Sequence, residues 1–400
     1  MAVQYCTRCV YPSSAATPLT FDDRGICSGC RTADQKNHID WSVRREWLAE
    51  TVQEYRSSSN YDVVIGVSGG KDSYYQVHMA RELGLKPLLV TYHGNNYLPD
   101  GEYNLERMRS LFDCDHLIFR PSVDVLTRIN RIGFRLQGDM NWHGHCGIFS
   151  VPIQVAVRYK VPLILWGEHG FMDLGGMYSM NDMVEFTAKH RLEHALRGYD
   201  WHDFTDDGLD RLGRPELKEG LSEKDLLWAQ YPADEEIAAI GVRGIYLGNY
   251  VNWDGIKNAE LMVEKYGWRP AQVPFERTYR TVSNLDDMHE NGIHDYLKFV
   301  KFGYGRGSDH ACKDIRAGRM TREEGIEMVR RYDHVKPRRD LDRWLAYVGM
   351  SEFDFDAVSD TFRDPRVWTV SDGQWVKQNI WGGTSAYGPV ATAPTSGANL

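Results

Sequence analysis

Short apolar runs and amphipathic stretches alternate through the middle of the chain. Residues 62–67 (Asp-Val-Val-Ile-Gly-Val) are largely apolar, the pattern of a strand buried on both faces. The stretch 72–83 reads as a helix stopped by Gly84. Runs at 87–92, 116–119 and 161–166 predict three more strands, with helices over 105–111 and 151–159 between them. Strands alternating with helices imply a doubly wound parallel α/β sheet.

The flanks follow other patterns. Residues 1–35 are broken into turns by Pro12, Pro18 and Gly25, and their core is short. Residues 36–60 form a helical linker, with Trp41, Trp47, Leu48 and Val52 as apolar positions of a helix over 40–56. The core occupies 61–170. Residues 171–240 are polar and charge-rich without clear β/α alternation, and are expected to be an insertion or lid. Residues 241–310 complete the core and supply a substrate-binding segment. Helices at 322–332, 341–348 and 352–362 make 311–370 a C-terminal helical region, and 371–400 are expected to be a mobile tail.

Length and composition set bounds on this picture. At roughly 100–200 residues per domain, 400 residues allow two to three domains or one elaborated domain. With 47 Lys+Arg against 56 Asp+Glu, the net charge of −9 argues against general nucleic-acid binding. No long apolar run predicts a membrane span, and no secretory pattern opens the chain, so a cytoplasmic location is expected. Seven cysteines, an odd count, argue against a disulfide framework.

Four of those cysteines open the chain. Cys6-x2-Cys9, 17 residues and Cys27-x2-Cys30 have zinc spacing. Four thiolates suit tetrahedral zinc, in a closed and therefore structural site; an iron–sulfur cluster is the rival. A module of this size needs metal to fold, since its burial alone is too small.

Ser68-Gly69-Gly70-Lys71-Asp72-Ser73 follows the first predicted core strand and opens a helix. The glycines let backbone N–H groups approach a phosphate, the helix N-terminus adds partial positive charge, and Lys71 adds a full one. The motif lacks the Walker A spacing. The motif resembles the signature of the PP-loop ATP pyrophosphatases, which implies ATP with Mg2+ on its phosphates and makes Asp72 and Glu168 candidate carboxylates for the ion; Asp72 also reads as an ordinary acid in a first helical turn. The backbone near Thr91, Tyr92 and His93 lies at a strand's carboxyl end, where open α/β sheets bind ligands, and is assigned to adenine.

Two further stretches carry polar chemistry. His143, His145 and Cys146 precede the predicted helix 151–159, as a catalytic or metal loop or a plain polar loop. On residues 292–306, His294, Leu297, Lys298 and Lys301 share one helical face. Together with Arg306, the two lysines suit phosphate binding, unless they form a solvated basic face.

The motif Ser68–Ser73 resembles the signature of the PP-loop ATP pyrophosphatases. The opening Tyr5-Cys6-Thr7-Arg8-Cys9-Val10-Tyr11-Pro12, residues 147–156, Trp166-Gly167-Glu168, residues 241–248, residues 292–306 and Phe362-Arg363-Asp364-Pro365 resemble, in order, the N-acetyl sugar amidotransferases of that superfamily. The resemblance implies a PP-loop, adenine-nucleotide α-hydrolase-like fold with an N-terminal zinc ribbon. It implies ATP, Mg2+ and Zn2+ as cofactors. The implied reaction converts the N-acetyl group of a sugar or nucleotide sugar into an acetamidino group during surface-polysaccharide synthesis, as in relatives acting in pseudaminic- and legionaminic-acid pathways. Lys71, Asp72, Glu168, Lys298, Lys301 and Arg306 become its candidate catalytic residues. Ammonia would come from a separate glutaminase with a cyclase-like barrel subunit; Ala2 stands where a class II glutaminase needs Cys. Asn141 and Gly144 depart from the family's Cys-x-x-Cys. A tRNA-modifying PP-loop enzyme and a non-catalytic zinc-ribbon adaptor are the competing readings.

Overall fold

The computed structural model describes residues 3–282 and 288–391. Five parallel strands, β1 (Val63–Gly66), β2 (Pro87–Tyr92), β3 (Asp115–Phe119), β4 (Leu163–Trp166) and β5 (Arg243–Tyr246), form a sheet of order β3-β2-β1-β4-β5. Their period-2 alternation feeds two cores. Val63, Ile65, Leu89 and Leu163 face helices Lys71–Glu82, Pro99–Phe112 and Gly255–Tyr266. Val64, Leu88, Val90 and Ile164 face helices Val123–Gln137 and Trp142–Tyr159. The sheet is therefore doubly wound, and its strand order reverses direction between β1 and β4. That switch point opens a crevice at the strands' carboxyl ends.

Two segments depart from the sequence reading. Helix Trp142–Tyr159 begins nine residues before the expected 151, so His143, His145 and Cys146 are helical, not in a loop. Gly144, Gly147 and Pro152 disguise this part of the helix in the sequence. Gly147 packs against the Tyr92 ring, where a Cβ would lie 2.3 Å from Cδ2. The expected mobile tail is likewise corrected. β6 (Trp368–Ser371), β7 (Gln374–Gln378) and β8 (Thr384–Pro389) form an antiparallel sheet, anchored by buried Trp368 edge-on to Phe299. Residues 392–400 lie outside the described residues.

Residues 171–240, expected to be an insertion or lid, form an insertion that packs into the core. Leu196, Phe204, Leu209, Leu226 and Trp228 bury themselves in the second core, and Phe204 stacks on Trp142 at 3.7 Å. The segment is an inserted layer of short helical turns between β4 and β5.

The cysteine module packs on the C-terminal helices. Cys6, Cys9, Val10, Tyr11, Cys27 and Cys30 share a cluster with Tyr304, Ala311 and Cys312. Tyr11 donates a 2.7 Å hydrogen bond to Asp309. A fourth cluster joins Phe134 to Ile293, Leu297, Leu341, Trp344 and Phe355, tying the C-terminal helices to the core. No helix among the described residues is long and apolar enough to cross a membrane.

Candidate active site and metal centre

The loop after β1 turns on Gly69, whose φ is +86°; a Cβ there would lie 2.7 Å from the Leu105 backbone nitrogen. Only glycine fits that position. Gly70 caps helix Lys71–Glu82. The Ser68 N–H donates to Ser73 Oγ at 2.9 Å, and Trp268 Nε1–H donates to the Gly69 carbonyl at 3.0 Å. These bonds hold the loop's shape from both sides. Gly69 and Gly70 line a cavity of about 430 Å³ with Asn104, Arg269 and Arg277.

Lys71 is 2% exposed, and its Nζ lies 2.5 Å from Asp72 Oδ2. The other Asp72 oxygen is buried without a hydrogen-bond partner among the described residues. Across the switch point, Glu168 follows β4. Lys313 binds it at 3.0 Å and Asp173 at 2.8 Å, and Lys36 reaches Asp173 at 2.9 Å. Burial pushes the Glu168 carboxyl up, Lys313 opposes that rise, and Asp173 and Asp72 reinforce it. Asp173 resists its own burial because Lys313 and Lys36 hold it well below the usual range. Lys71, Asp72 and Glu168 thus form one electrostatic cluster. Asp72 and Glu168 present carboxylate oxygens that fit a hard divalent cation bridging phosphates.

Lys313, Asp173 and Lys36 escaped the sequence reading. They lie 277 positions apart at the extremes, on separate helices, and no local pattern links them.

The three cations assigned to phosphate all face internal acids, and two of them, Lys298 and Arg306, meet at Asp309. Lys298 pairs with Asp309, and Arg306 with Asp295 at 2.6 Å and Asp309 at 3.1 Å. Lys301 sits instead beside Asp139 at 4.0 Å, in a group with His294 and Arg197. Burial, aided by Arg197, pushes Lys301 down to about 7. Arg277, which also pairs with Asp295, bridges this acid to the cavity of Gly69 and Gly70. The residues assigned to adenine are buried. Thr91 Oγ1 donates to the Val67 carbonyl at 2.6 Å, Tyr92 Oη lies 3.1 Å from His143 Nδ1, and His93 stacks on Tyr97 at 4.2 Å.

The four N-terminal cysteines converge. Their sulfurs all lie within 4.8 Å of one another, and Cys9 and Cys27 approach to 3.6 Å. Tetrahedral zinc with bonds of about 2.3 Å needs sulfurs about 3.8 Å apart, so the residues fit this metal. The backbone N–H groups of Arg8, Cys9 and Cys27 donate to Cys6 Sγ at 3.3–3.4 Å. Arg316 Nη2 reaches Cys27 Sγ at 3.6 Å and supplies countercharge to the thiolates.

Residues 263–380 match the family described as "LPS biosynthesis protein WbpG-like, C-terminal domain". No curated protein matches the chain. Among solved structures, the chain is similar to an NH3-dependent NAD synthetase from Campylobacter jejuni. That match has 14% identity and a TM-score of 0.27, and covers 59% of this chain and 100% of the other. An NMN synthetase from Francisella tularensis is similar at 12% identity and a TM-score of 0.25, covering 58% and 96%. The C-terminal match spans the helices that carry Lys298, Arg306 and Lys313 and reaches β7.

Proposed function

We propose that the protein is an ATP-dependent amidotransferase. It adenylates the acetamido oxygen of an N-acetylated sugar and replaces that oxygen with ammonia, giving an acetamidino sugar, AMP and pyrophosphate. The observation that carries this reading is the placement of Ser68–Ser73 and Glu168 on opposite sides of the β1/β4 switch point. Phosphates and a carbonyl acceptor can meet there.

An amide oxygen is a poor leaving group, whereas an adenylate is a good one. The acetamido oxygen attacks the α-phosphorus, and the bond to the β-phosphate breaks. The N–H groups at the start of helix Lys71–Glu82 and the buried Lys71 ammonium stabilise the departing pyrophosphate. Asp72 and Glu168 would hold magnesium, which neutralises phosphate charge. Ammonia then adds to the imidate carbon and AMP departs. Should Asp72 alone hold magnesium, Glu168, raised by burial, would instead take the proton that the incoming ammonia loses. The intermediate hydrolyses in open water, and the burial of Lys71 and Glu168 limits water's access. Ammonia delivery by a separate glutaminase, with a cyclase-like barrel subunit, belongs to the same proposal.

The test is mass spectrometry of N-acetylated sugars and nucleotide sugars incubated with protein, ATP, magnesium and ammonium chloride. A product about 1 Da lighter, formed with one equivalent of AMP, is expected from O-to-NH exchange. ADP formation with unchanged sugar would contradict the proposal.

A further inference from the structure

Lys36, Asp173, Lys313 and Glu168 all line one cavity of about 290 Å³. Their signs alternate. Lys36 reaches Asp173 at 2.9 Å, and Asp173 meets Lys313 at 2.8 Å. Lys313 donates to both Glu168 oxygens, at 3.0 and 3.3 Å. Glu168 in turn feels the charges of Lys71 and Asp72. Each link comes from a different part of the chain. Lys36 follows helix Ser28–Gln35 of the cysteine module, Asp173 lies on helix Gly170–Gly175, and Lys313 on helix Arg306–Arg316.

Lys313 is the centre of this row. Its ammonium lies between two carboxylates from separate elements, and its side chain is only 19% exposed. Taking an ammonium out of water is costly, and two acids at hydrogen-bond distance offset that cost. Two carboxylates facing one point are also a donor set for a hard divalent cation. Here a fixed positive charge of the chain fills the point. Lys36 holds Asp173 from outside this pair. With the point filled, an ion brought in by phosphates is left to Glu168 and Asp72, and is not drawn between Glu168 and Asp173.

We propose that Lys313 is the resident cation of the active site. It occupies the place between Glu168 and Asp173 that a second divalent ion would take, and so positions Glu168 for the ion that arrives with the nucleotide. Lys313 is then a positioning residue, supported by Asp173 and Lys36. This inference rests on the assignment of Glu168 to the reaction proposed above.

The experiment is titration of the intact protein with Mn2+ in the absence of nucleotide, with free Mn2+ read by electron paramagnetic resonance. Mn2+ favours carboxylates over thiolates, so the cysteine site does not compete. Lys313→Met removes the charge and keeps an unbranched side chain. It is expected to bind one Mn2+ about tenfold tighter than the parent, because affinity follows the charge of the free ligands. Lys313→Arg keeps the charge and should titrate like the parent. Adding Asp173→Asn to Lys313→Met should abolish the gain. Lys313→Gln, which retains a hydrogen-bond donor, carries the same expectation where the Met variant does not fold. The proposal is overturned if a folded Met or Gln variant binds Mn2+ no tighter than the parent, if Lys313→Arg shows the same gain, or if the gain survives Asp173→Asn. AMP formation is followed for the same proteins under the conditions of the amidation assay. Lys313→Met should lower kcat at least about tenfold and leave the KM for ATP within about threefold, with activity recovered in Lys313→Arg. An unchanged kcat in Lys313→Met rejects the positioning role. A parent that forms no AMP rejects the amidation reading, whereas the Mn2+ titration judges the ammonium by itself.

Discussion

On the proposed reading, phosphate chemistry depends most on Lys71, which opens a helix on the glycine loop and is buried beside Asp72. Lys71→Ala should lower AMP formation at least a hundredfold, the loss typical of one preorganised electrostatic contact, while circular dichroism shows an intact fold. Retained AMP formation would place the chemistry elsewhere. Glu290 offers a test of pH dependence. It is buried, accepts a hydrogen bond from Asn96 at 2.5 Å, and is pushed up to about 8 by burial. Its folded value lies above the unfolded one, so the native state binds the extra proton between roughly pH 4.3 and 8. Stability contributed by this group is therefore full at low pH and is lost as pH rises through that window. Glu290→Gln should flatten the fall, with a melting temperature above the parent by a few degrees (about 2–5 °C) at pH 8 and by less at pH 5. An equal difference at both pH values would show that Glu290 does not titrate in this way.

At the scale of elements, legibility followed local chemistry. β1, β2 and the glycine loop could be read because a strand buried on both faces leaves a nearly continuous apolar run, and Gly69 leaves a turn signature. The antiparallel sheet β6–β8 could not. Its strands are short, and only Trp368 and Lys377 are well buried in them. Its Gly, Ser and Pro content was read as a mobile tail, whereas several of these residues make its turns. Phe204 and Trp228 sit in a charge-rich stretch whose apolar positions have no helical or strand period, so the sequence shows an insertion or lid but not that it packs as core. The charge cluster of Lys36, Asp173, Glu168 and Lys313 was half visible, through Glu168 alone, since tertiary contact brings the rest together. The sheet has an energetic test. Trp368 packs on Phe299 and lies under the Arg363 guanidinium at 4.3 Å. Trp368→Ala should destabilise the protein by about 3 kcal/mol in urea unfolding, as expected for a large buried aromatic. A loss under about 1 kcal/mol would mean that β6–β8 is not anchored to the C-terminal helices.

Over the whole molecule, the cysteine module, the parallel sheet and the C-terminal helices meet around the β1/β4 switch point. Lys313 reaches Glu168 from the same helix, Arg306–Arg316, whose last residue, Arg316, touches Cys27. Metal at the cysteines should therefore support the active site as well as the module. Elemental analysis should give one zinc per chain, and a chelator strong enough to remove it should lower both the melting temperature and AMP formation. Iron with acid-labile sulfide, or a chelated protein of unchanged stability, would contradict this. The central claim, that an acetamido oxygen is activated at the Ser68–Ser73 loop, has one direct measurement. An N-acetylated sugar labelled with 18O in the acetyl carbonyl is turned over with ATP and ammonium, and the nucleotide product is weighed. The account predicts the label in AMP, because that oxygen leaves with the α-phosphate. Unlabelled AMP with the label retained in the sugar, or ADP in place of AMP, would contradict it.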